Sequence, residues 1–163
     1  MTKEQYQRWS APFRSPGGER WLNRVNFLLT RLCYAAYPLC LLWLAVTRDS
    51  RGIPALLVPA VSFLLVSVFR NLYNAKRPYE LLEIQPLIHK DKKGKSFPSR
   101  HVFSVFVIAM TFLWLCPPAG AVFLIVGVLL ALCRVIGGVH FPRDVIAGAA
   151  AGIAAGACYW LIW

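Results

Sequence analysis

Long apolar runs separated by shorter polar segments dominate the chain from residue 27 onwards. The runs cover about Phe27–Val46, Ile53–Phe69, Val102–Cys116, Ala119–Ile136 and Val145–Trp163. Runs with so few charges are typical of helices that cross a bilayer, and no alternating ten-residue strands appear. Some runs are shorter than the ~20 residues that a bilayer requires, so we expect the helices to extend past these bounds. The pattern predicts an all-α integral membrane protein with about five transmembrane helices in one bundle.

The first 24 residues follow a different pattern. Arginines alternate there with aromatic residues, among them Tyr6, Trp9, Phe13 and Trp21. Basic and aromatic side chains together suit a segment that lies in the headgroup layer, and a disordered, solvated tail is the alternative. We therefore divide the chain into an interfacial N-terminal segment, residues 1–24, and a single transmembrane helical domain, residues 25–163.

Composition supports the membrane class and indicates which anions the protein is expected to bind. Of the 163 residues, 58% are hydrophobic and only 15% are charged, with a net charge of +11. In a membrane protein such a positive charge favours lipid headgroups and phosphates over nucleic acid as the bound anions. The five cysteines lie mostly in apolar runs without CxxC spacing, so we interpret them as packing residues rather than disulfide or metal ligands.

Two long polar links, residues 70–100 and 134–144, carry the candidate chemistry. With five helices, both links and the N-terminus lie on one side of the membrane. Two of the three histidines and most of the cations therefore converge on one face. Asp144 is the only carboxylate beside this cluster. The excess of cations favours a bound anion over a metal ion, which requires several oxygen ligands.

The spacing of Arg134, His140 and Asp144 adds to this picture. Cations and a histidine at helix ends are often ordinary topology determinants and interfacial anchors. Asp144, however, follows Pro142 in the predicted first turn of the fifth helix, where the helix dipole favours a carboxylate. A carboxylate there can hold a neighbouring imidazole in one tautomer, which is the arrangement of an activated nucleophile or base.

Three sequence blocks occur in order at these helix ends. They read "RNLYNAKRP" from Arg70 to Pro78, "PSRH" from Pro98 to His101, and "CRVIGGVHFPRD" from Cys133 to Asp144. Together they resemble the type 2 phosphatidic acid phosphatase (PAP2) superfamily of membrane phosphatases. That family carries Lys-x6-Arg-Pro, Pro-Ser-Gly-His and Ser-Arg-x5-His-x3-Asp, and the resemblance covers about residues 50 to 163. The chain departs from the family pattern by replacing Lys with Arg70, Gly with Arg100 and Ser with Cys133.

The resemblance implies a mechanism with named residues. His140 attacks phosphorus and forms a phosphohistidine, Asp144 orients His140, and His101 protonates the leaving lipid oxygen. Water then hydrolyses the phosphoenzyme. Backbone N–H groups near residues 99–101 are expected to help hold the phosphate. The phosphate-binding side chains are expected to be Arg70, Arg77, Ser99, Arg100 and Arg134. No metal or organic cofactor is implied.

The substrate class is a phosphomonoester or diphosphate of a lipid. Polyprenyl (di)phosphate, phosphatidylglycerophosphate and phosphatidic acid all fit. Two alternatives keep the same residues: a lipid phosphotransferase that uses the same histidine, and a non-catalytic membrane protein that binds lipid phosphates. A transporter would require polar groups at mid-membrane, and the spans offer few.

Sidedness and assembly are predicted from two further patterns. The N-terminus and the two long links carry nearly all the Lys and Arg, so the positive-inside rule favours a cytoplasmic-facing site in a multi-pass protein of the cell membrane. Many members of the family have the opposite, extracytoplasmic orientation. Gly148, Gly152 and Gly156 form a face for close helix packing, either within the chain or between two copies. The basic run Lys90–Lys95 is interpreted as a headgroup-binding face.

Overall fold

The computed structural model describes residues 1–90 and 92–162, and every regular element in that part of the chain is helical. The helices are α1 (Lys3–Ser10), α2 (Pro16–Val46), α3 (Gly52–Tyr73), α4 (Pro78–Leu81), α5 (Arg100–Leu115), α6 (Pro117–Ile136) and α7 (Pro142–Ile162). A 3-10 turn, Ala11–Phe13, follows α1. The predicted all-α fold class is confirmed. Trp163, the end of the fifth predicted span, lies outside the described residues.

The five predicted spans correspond to α2, α3, α5, α6 and α7. Within the described residues, four of these helices are long and apolar enough to cross a membrane, whereas α5 has 16 residues. At 1.5 Å per residue, α5 is about 24 Å long, less than the ~30 Å of a hydrocarbon core. It lies at the centre of the bundle, with ten of its residues buried against its neighbours, mainly α6 and α7. A helix that is apolar on all sides belongs in such a position.

Helix α2 begins before the apolar run that predicts the first span. The Ser15 side chain accepts a hydrogen bond from the Gly18 N–H at 3.1 Å, and Pro16 occupies the first helical position. Such a cap satisfies one of the free N–H groups at a helix start, and proline is pre-organised for the next position. The helix therefore begins well before the apolar run at Phe27, in the segment that we had assigned to the interface.

Helix α1 packs against the loops at the end of the bundle and is not a disordered tail. Tyr6 is fully buried, and its hydroxyl donates a hydrogen bond to the carbonyl oxygen of Gln85 at 3.1 Å. Its ring lies against Gly138, where an added Cβ would be 2.8 Å from the Tyr6 hydroxyl. Gly138 also has a φ of +74°, which favours glycine. The N-terminus and both long links therefore lie at the same end.

The glycine face of α7 is used inside the chain. An added Cβ at Gly148 would lie 2.6 Å from the carbonyl oxygen of Ser99, and one at Gly152 would lie 2.8 Å from that of Phe103. At Gly156 an added Cβ would lie 2.2 Å from a side-chain carbon of α5. The absence of side chains at these positions allows α7 to pack directly against α5.

Candidate active site

The three sequence blocks meet at one end of the bundle, where α3 and α6 end and α5 and α7 begin. The Ser99 N–H donates to the carbonyl oxygen of Asp144 at 2.8 Å and so joins the starts of α5 and α7. The Arg77 Nη1 donates to the carbonyl oxygen of Val139 at 3.1 Å, which ties the first block to the third. All eight predicted site residues belong to this end of the bundle.

His140, Asp144 and Ser96 form a buried hydrogen-bonded group. Asp144 Oδ2 accepts a hydrogen bond from the Ser96 hydroxyl at 2.5 Å and from the Phe141 N–H at 3.0 Å. His140 Nδ1 is 3.6 Å from Asp144 Oδ2 and 3.4 Å from Ser96 Oγ. Both oxygens thus face the same ring nitrogen, which favours the tautomer with its proton on Nδ1 and a free lone pair on Nε2.

The surroundings of His140 keep its imidazole neutral. The side chain is 1% exposed, and this burial lowers its pKa from the ordinary histidine value. The adjacent Asp144 carboxylate opposes the effect and raises the pKa, whereas the nearby Arg77 lowers it. Burial dominates, so the imidazole is uncharged at neutral pH and can act as a nucleophile.

Ser96 is the functional candidate that the sequence did not reveal. It lies outside the three blocks, in a basic stretch between Lys95 and Phe97. Lys95 is exposed, yet Ser96 is fully buried because its hydroxyl points at Asp144. The only signal in the sequence is its position two residues before the "PSRH" block, which does not distinguish it from any other loop serine.

The two arginines of the first block are buried and hold the loop that precedes α5. Arg70 is 8% exposed and Arg77 is 4% exposed. Arg70 donates to the carbonyl oxygens of Lys95 and Pro98, and Arg77 Nε donates to that of Gly94 at 2.9 Å. Each guanidinium has five N–H donors in a planar fork, so both can bind this loop and still offer donors to an anion.

Four buried polar atoms at this end have no hydrogen-bond partner within the described residues. They are Ser67 Oγ, Ser99 Oγ, Arg134 Nε and Asp144 Oδ1. Buried polar groups in proteins are nearly always paired, so an unpaired hydroxyl and an unpaired guanidinium N–H indicate where a ligand would bind. The sequence predicts that backbone N–H groups near residues 99–101 help to hold the phosphate. The Ser99 N–H does not, because it already donates a hydrogen bond to the Asp144 carbonyl oxygen.

A strongly basic pocket of about 920 Å³ adjoins these residues. Seven Lys and Arg side chains and three histidines line it, among them His101 and His140, and none of the described lining residues is acidic. His101 is half-buried at the start of α5. A pocket with this balance of charge attracts anions and has the arrangement needed to hold a phosphate.

An apolar cavity of about 460 Å³ lies beside the basic pocket, between α2, α3 and α5. Phe63 lines the apolar cavity, and Arg100 lines the basic one. The Arg100 guanidinium lies over the Phe63 ring at 5.3 Å from its centroid, so this cation–π contact stands between the two cavities. The arrangement suits an amphiphile with a phosphate head and a hydrocarbon tail.

Comparison with known proteins agrees with this chemistry. The family model of the PAP2 superfamily matches residues 51–163. The chain is 27% identical to the bacitracin transport permease protein BcrC of Bacillus licheniformis, over 81% of this chain and 67% of that protein. It is 26% identical to a putative undecaprenyl-diphosphatase, YbjG, of Escherichia coli K12, over 91% of this chain and 77% of that protein.

Two crystal structures have the same fold. LpxE of Aquifex aeolicus matches with a TM-score of 0.75 and 27% identity, over 97% of this chain and 93% of that one. A PAP2-type phosphatidylglycerolphosphate phosphatase of Bacillus subtilis, described as transmembrane, matches with a TM-score of 0.71 and 24% identity, over 99% and 86% of the two chains. These relatives and the long apolar helices indicate a multi-pass membrane protein.

Proposed function

Because the chain belongs to the PAP2 superfamily, we propose that it is a membrane lipid phosphatase that acts through a phosphohistidine at His140. The observation that carries this proposal is the neutral His140 held by Asp144 and Ser96 at the wall of a pocket rich in cations. Phosphoryl transfer depends mainly on positioning and on charge stabilisation, and this site supplies both.

The reaction proceeds in two steps. His140 Nε2 attacks phosphorus, and the bond between phosphorus and the lipid oxygen breaks while His101 donates a proton to that oxygen. Burial and the nearby cations lower the pKa of His101 to about 2, so His101 takes up this proton when the anionic head of the lipid binds beside it and raises its pKa. The non-bridging oxygens are held by Arg70, Arg77 and Arg134, together with Arg100 and the Ser99 hydroxyl. His101, now unprotonated, activates a water molecule that cleaves the N–P bond and releases inorganic phosphate.

The substrate is a lipid with a phosphomonoester or diphosphate head, and a polyprenyl chain is the first candidate. The putative undecaprenyl-diphosphatase relative supports this choice. The apolar cavity beside Arg100 and Phe63 would receive the part of the tail nearest the phosphate. Phosphatidylglycerophosphate and phosphatidic acid are the other candidates.

The name of one relative raises transport as a second function. A transport site is expected near the bilayer midplane, where broken helices expose backbone groups. In this chain the buried cations Arg70, Arg77 and Arg134 lie instead at one end of the bundle. Helices α5 and α6, which meet at Cys116, are each continuous along their length. The phosphatase is therefore the better supported function.

The assay that tests the proposal is phosphate release in detergent with EDTA present. Wild type and His140→Ala are compared on polyprenyl diphosphate, polyprenyl phosphate, phosphatidylglycerophosphate and phosphatidic acid. We expect metal-independent release by wild type and none by the variant. Release that survives the substitution, or that requires a divalent metal, contradicts the assignment. Phosphate that appears on an added lipid acceptor instead of in solution identifies a phosphotransferase.

The site is proposed to face the cytoplasm. Most Lys and Arg residues lie at its end of the bundle, whereas the opposite end has chiefly Arg48 and Arg51, and Arg51 is paired with Asp49 at 2.7 Å. The positive-inside rule then places the site inside. With five crossings, alkaline phosphatase fused after Trp163 should be active outside the cell, and an inactive fusion whose cytoplasmic reporter counterpart is active contradicts this orientation.

A further inference from the structure

The basic pocket contains more cations than one phosphate group requires. The three sequence blocks already supply Arg70, Arg77 and Arg134 for the phosphate that is transferred. Arg70, Arg77 and Arg100, which also binds that phosphate in the proposed reaction, line the basic pocket. Four further cations line it and lie outside the three blocks: Lys90, Lys92, Lys93 and Lys95. A phosphomonoester carries at most two negative charges, so the pocket has a large surplus of positive charge for such a substrate.

Lys90 differs from the other three surplus cations by its burial. Lys92, Lys93 and Lys95 are exposed, whereas Lys90 is half-buried. It lines the pocket together with His101 and His140, and none of the ion pairs among the described residues includes it. A half-buried ammonium group that has no carboxylate partner among the described residues is favoured when an anion binds beside it.

The electrostatics of Lys90 agree with this geometry. The pKa of Lys90 is lowered to about 7, mainly by burial, and the neighbouring cations contribute in the same direction: Arg134, Arg77, Arg70 and Lys92. Its protein surroundings therefore disfavour the charged form of Lys90. A bound anion with charge beyond that needed by the three arginines would reverse this effect and bind the ammonium directly.

We propose that Lys90 forms a second phosphate subsite, which binds the phosphate group next to the one transferred and so makes the enzyme selective for lipid diphosphates over lipid monophosphates. This inference rests on the proposed phosphatase function. The second phosphate is one bridging oxygen away from the first. Lys90 lines the same pocket as both histidines and is close enough to lower the pKa of each, so it is suitably placed to contact the second phosphate.

The subsite also has a role in the reaction of a diphosphate. His140 attacks the terminal phosphorus, the N–P bond forms, and the bond from that phosphorus to the bridging oxygen breaks. The electron pair stays on the bridging oxygen, which accepts the proton of His101 and leaves as part of the lipid monophosphate. Lys90 stabilises the negative charge that develops on this phosphate during bond cleavage. Water then cleaves the N–P bond, which restores neutral His140 and releases inorganic phosphate.

The test is a comparison of Lys90→Met with Lys92→Met, because Lys92 is an exposed cation of the same pocket. Each protein is assayed with farnesyl diphosphate and farnesyl monophosphate, which share one chain. A charge-assisted hydrogen bond to the second phosphate predicts that Lys90→Met lowers the ratio of kcat/KM for diphosphate to that for monophosphate about 10-fold or more. Lys92→Met should change this ratio less than about twofold, as expected for an exposed charge.

Three outcomes contradict the subsite. They are an equal loss on both substrates in Lys90→Met, the same change of ratio in Lys92→Met, and a wild type without preference for the diphosphate. Lys90→Gln replaces Lys90→Met if the latter does not fold as judged by gel filtration and thermal unfolding.

A binding measurement separates failure of the subsite from failure of the proposed function. If neither farnesyl substrate is hydrolysed, the phosphatase function fails. The affinity for methylenediphosphonate relative to methylphosphonate then tests Lys90 by itself. The subsite predicts that this relative affinity falls about 10-fold in Lys90→Met and less than about twofold in Lys92→Met. An unchanged relative affinity in Lys90→Met contradicts it.

Discussion

The hydrogen bond from Ser96 to Asp144 gives the sharpest test of how the nucleophile is oriented. Ser96→Ala removes a hydroxyl that lies 2.5 Å from Asp144 Oδ2 and 3.4 Å from His140 Nδ1. Hydrogen bonds to charged groups contribute about 1.5–3 kcal/mol. Asp144 keeps the Phe141 N–H, so the carboxylate stays in place but is held less firmly. If the whole contribution is felt in the transition state, kcat falls about 10- to 150-fold.

The assay for this variant is initial-rate phosphate release, with kcat and KM determined separately. KM should change little, because the phosphate is held by arginines that the substitution does not touch. Ser62→Ala is the matched control, since its hydroxyl bonds to the carbonyl oxygen of Val58 within α3 at 2.5 Å. That control should keep its kcat within about twofold. If Ser96→Ala also keeps its kcat within twofold while His140→Ala is inactive, Ser96 and Asp144 do not orient the histidine as we argue.

The remaining predictions concern the carboxylate, the pH profile and the packing. Asp144→Asn should lower kcat about 100-fold or more, measured by the same assay, because the amide supports the required tautomer of His140 poorly. Burial lowers the pKa of His140, so the acid limb of kcat/KM, corrected for substrate ionisation, should lie below pH ~6.5. In Asp144→Asn this limb should lie at a still lower pH, because the carboxylate that raises the pKa of His140 is lost. Gly152→Ala should lower the free energy of unfolding by about 1–3 kcal/mol through a clash with α5, whereas Gly17→Ala, with no atom within 4 Å of its added Cβ, should not. Tyr6→Ala should lower the free energy of unfolding by about 3–5 kcal/mol, because a fully buried aromatic ring is lost. Thermal unfolding in detergent checks Gly152→Ala and Tyr6→Ala, and an unchanged melting temperature contradicts the packing argument.

Much of the candidate site was predictable because its residues are tied to helix ends. Arg70 ends the second apolar run and Asp144 begins the last one, and in a bundle with five crossings such ends must meet. The positions of the helix ends alone therefore predict that the eight site residues lie at one face of the membrane. Their roles stay predictions that the assays above test.

Other features depend on contacts that local sequence does not encode. Ser96 lies in a basic loop, and only the fold brings its hydroxyl to Asp144. The burial of Tyr6 likewise depends on its distant contact with Gly138, which the aromatic N-terminal pattern does not indicate. The early start of α2 could have been found, since Ser15 and Pro16 form a helix-start signature, but the apolar run at Phe27 is the stronger signal.

The most direct test of the account is to trap the phosphoenzyme. Wild type is mixed with lipid substrate carrying a radioactive terminal phosphate and quenched within one turnover in alkali, where a phosphohistidine is stable. The account predicts a label that is lost in acid, that maps to the peptide containing His140, and that is absent from His140→Ala. A label on another residue, or full turnover without any labelled protein at any quench time, would contradict the phosphohistidine mechanism.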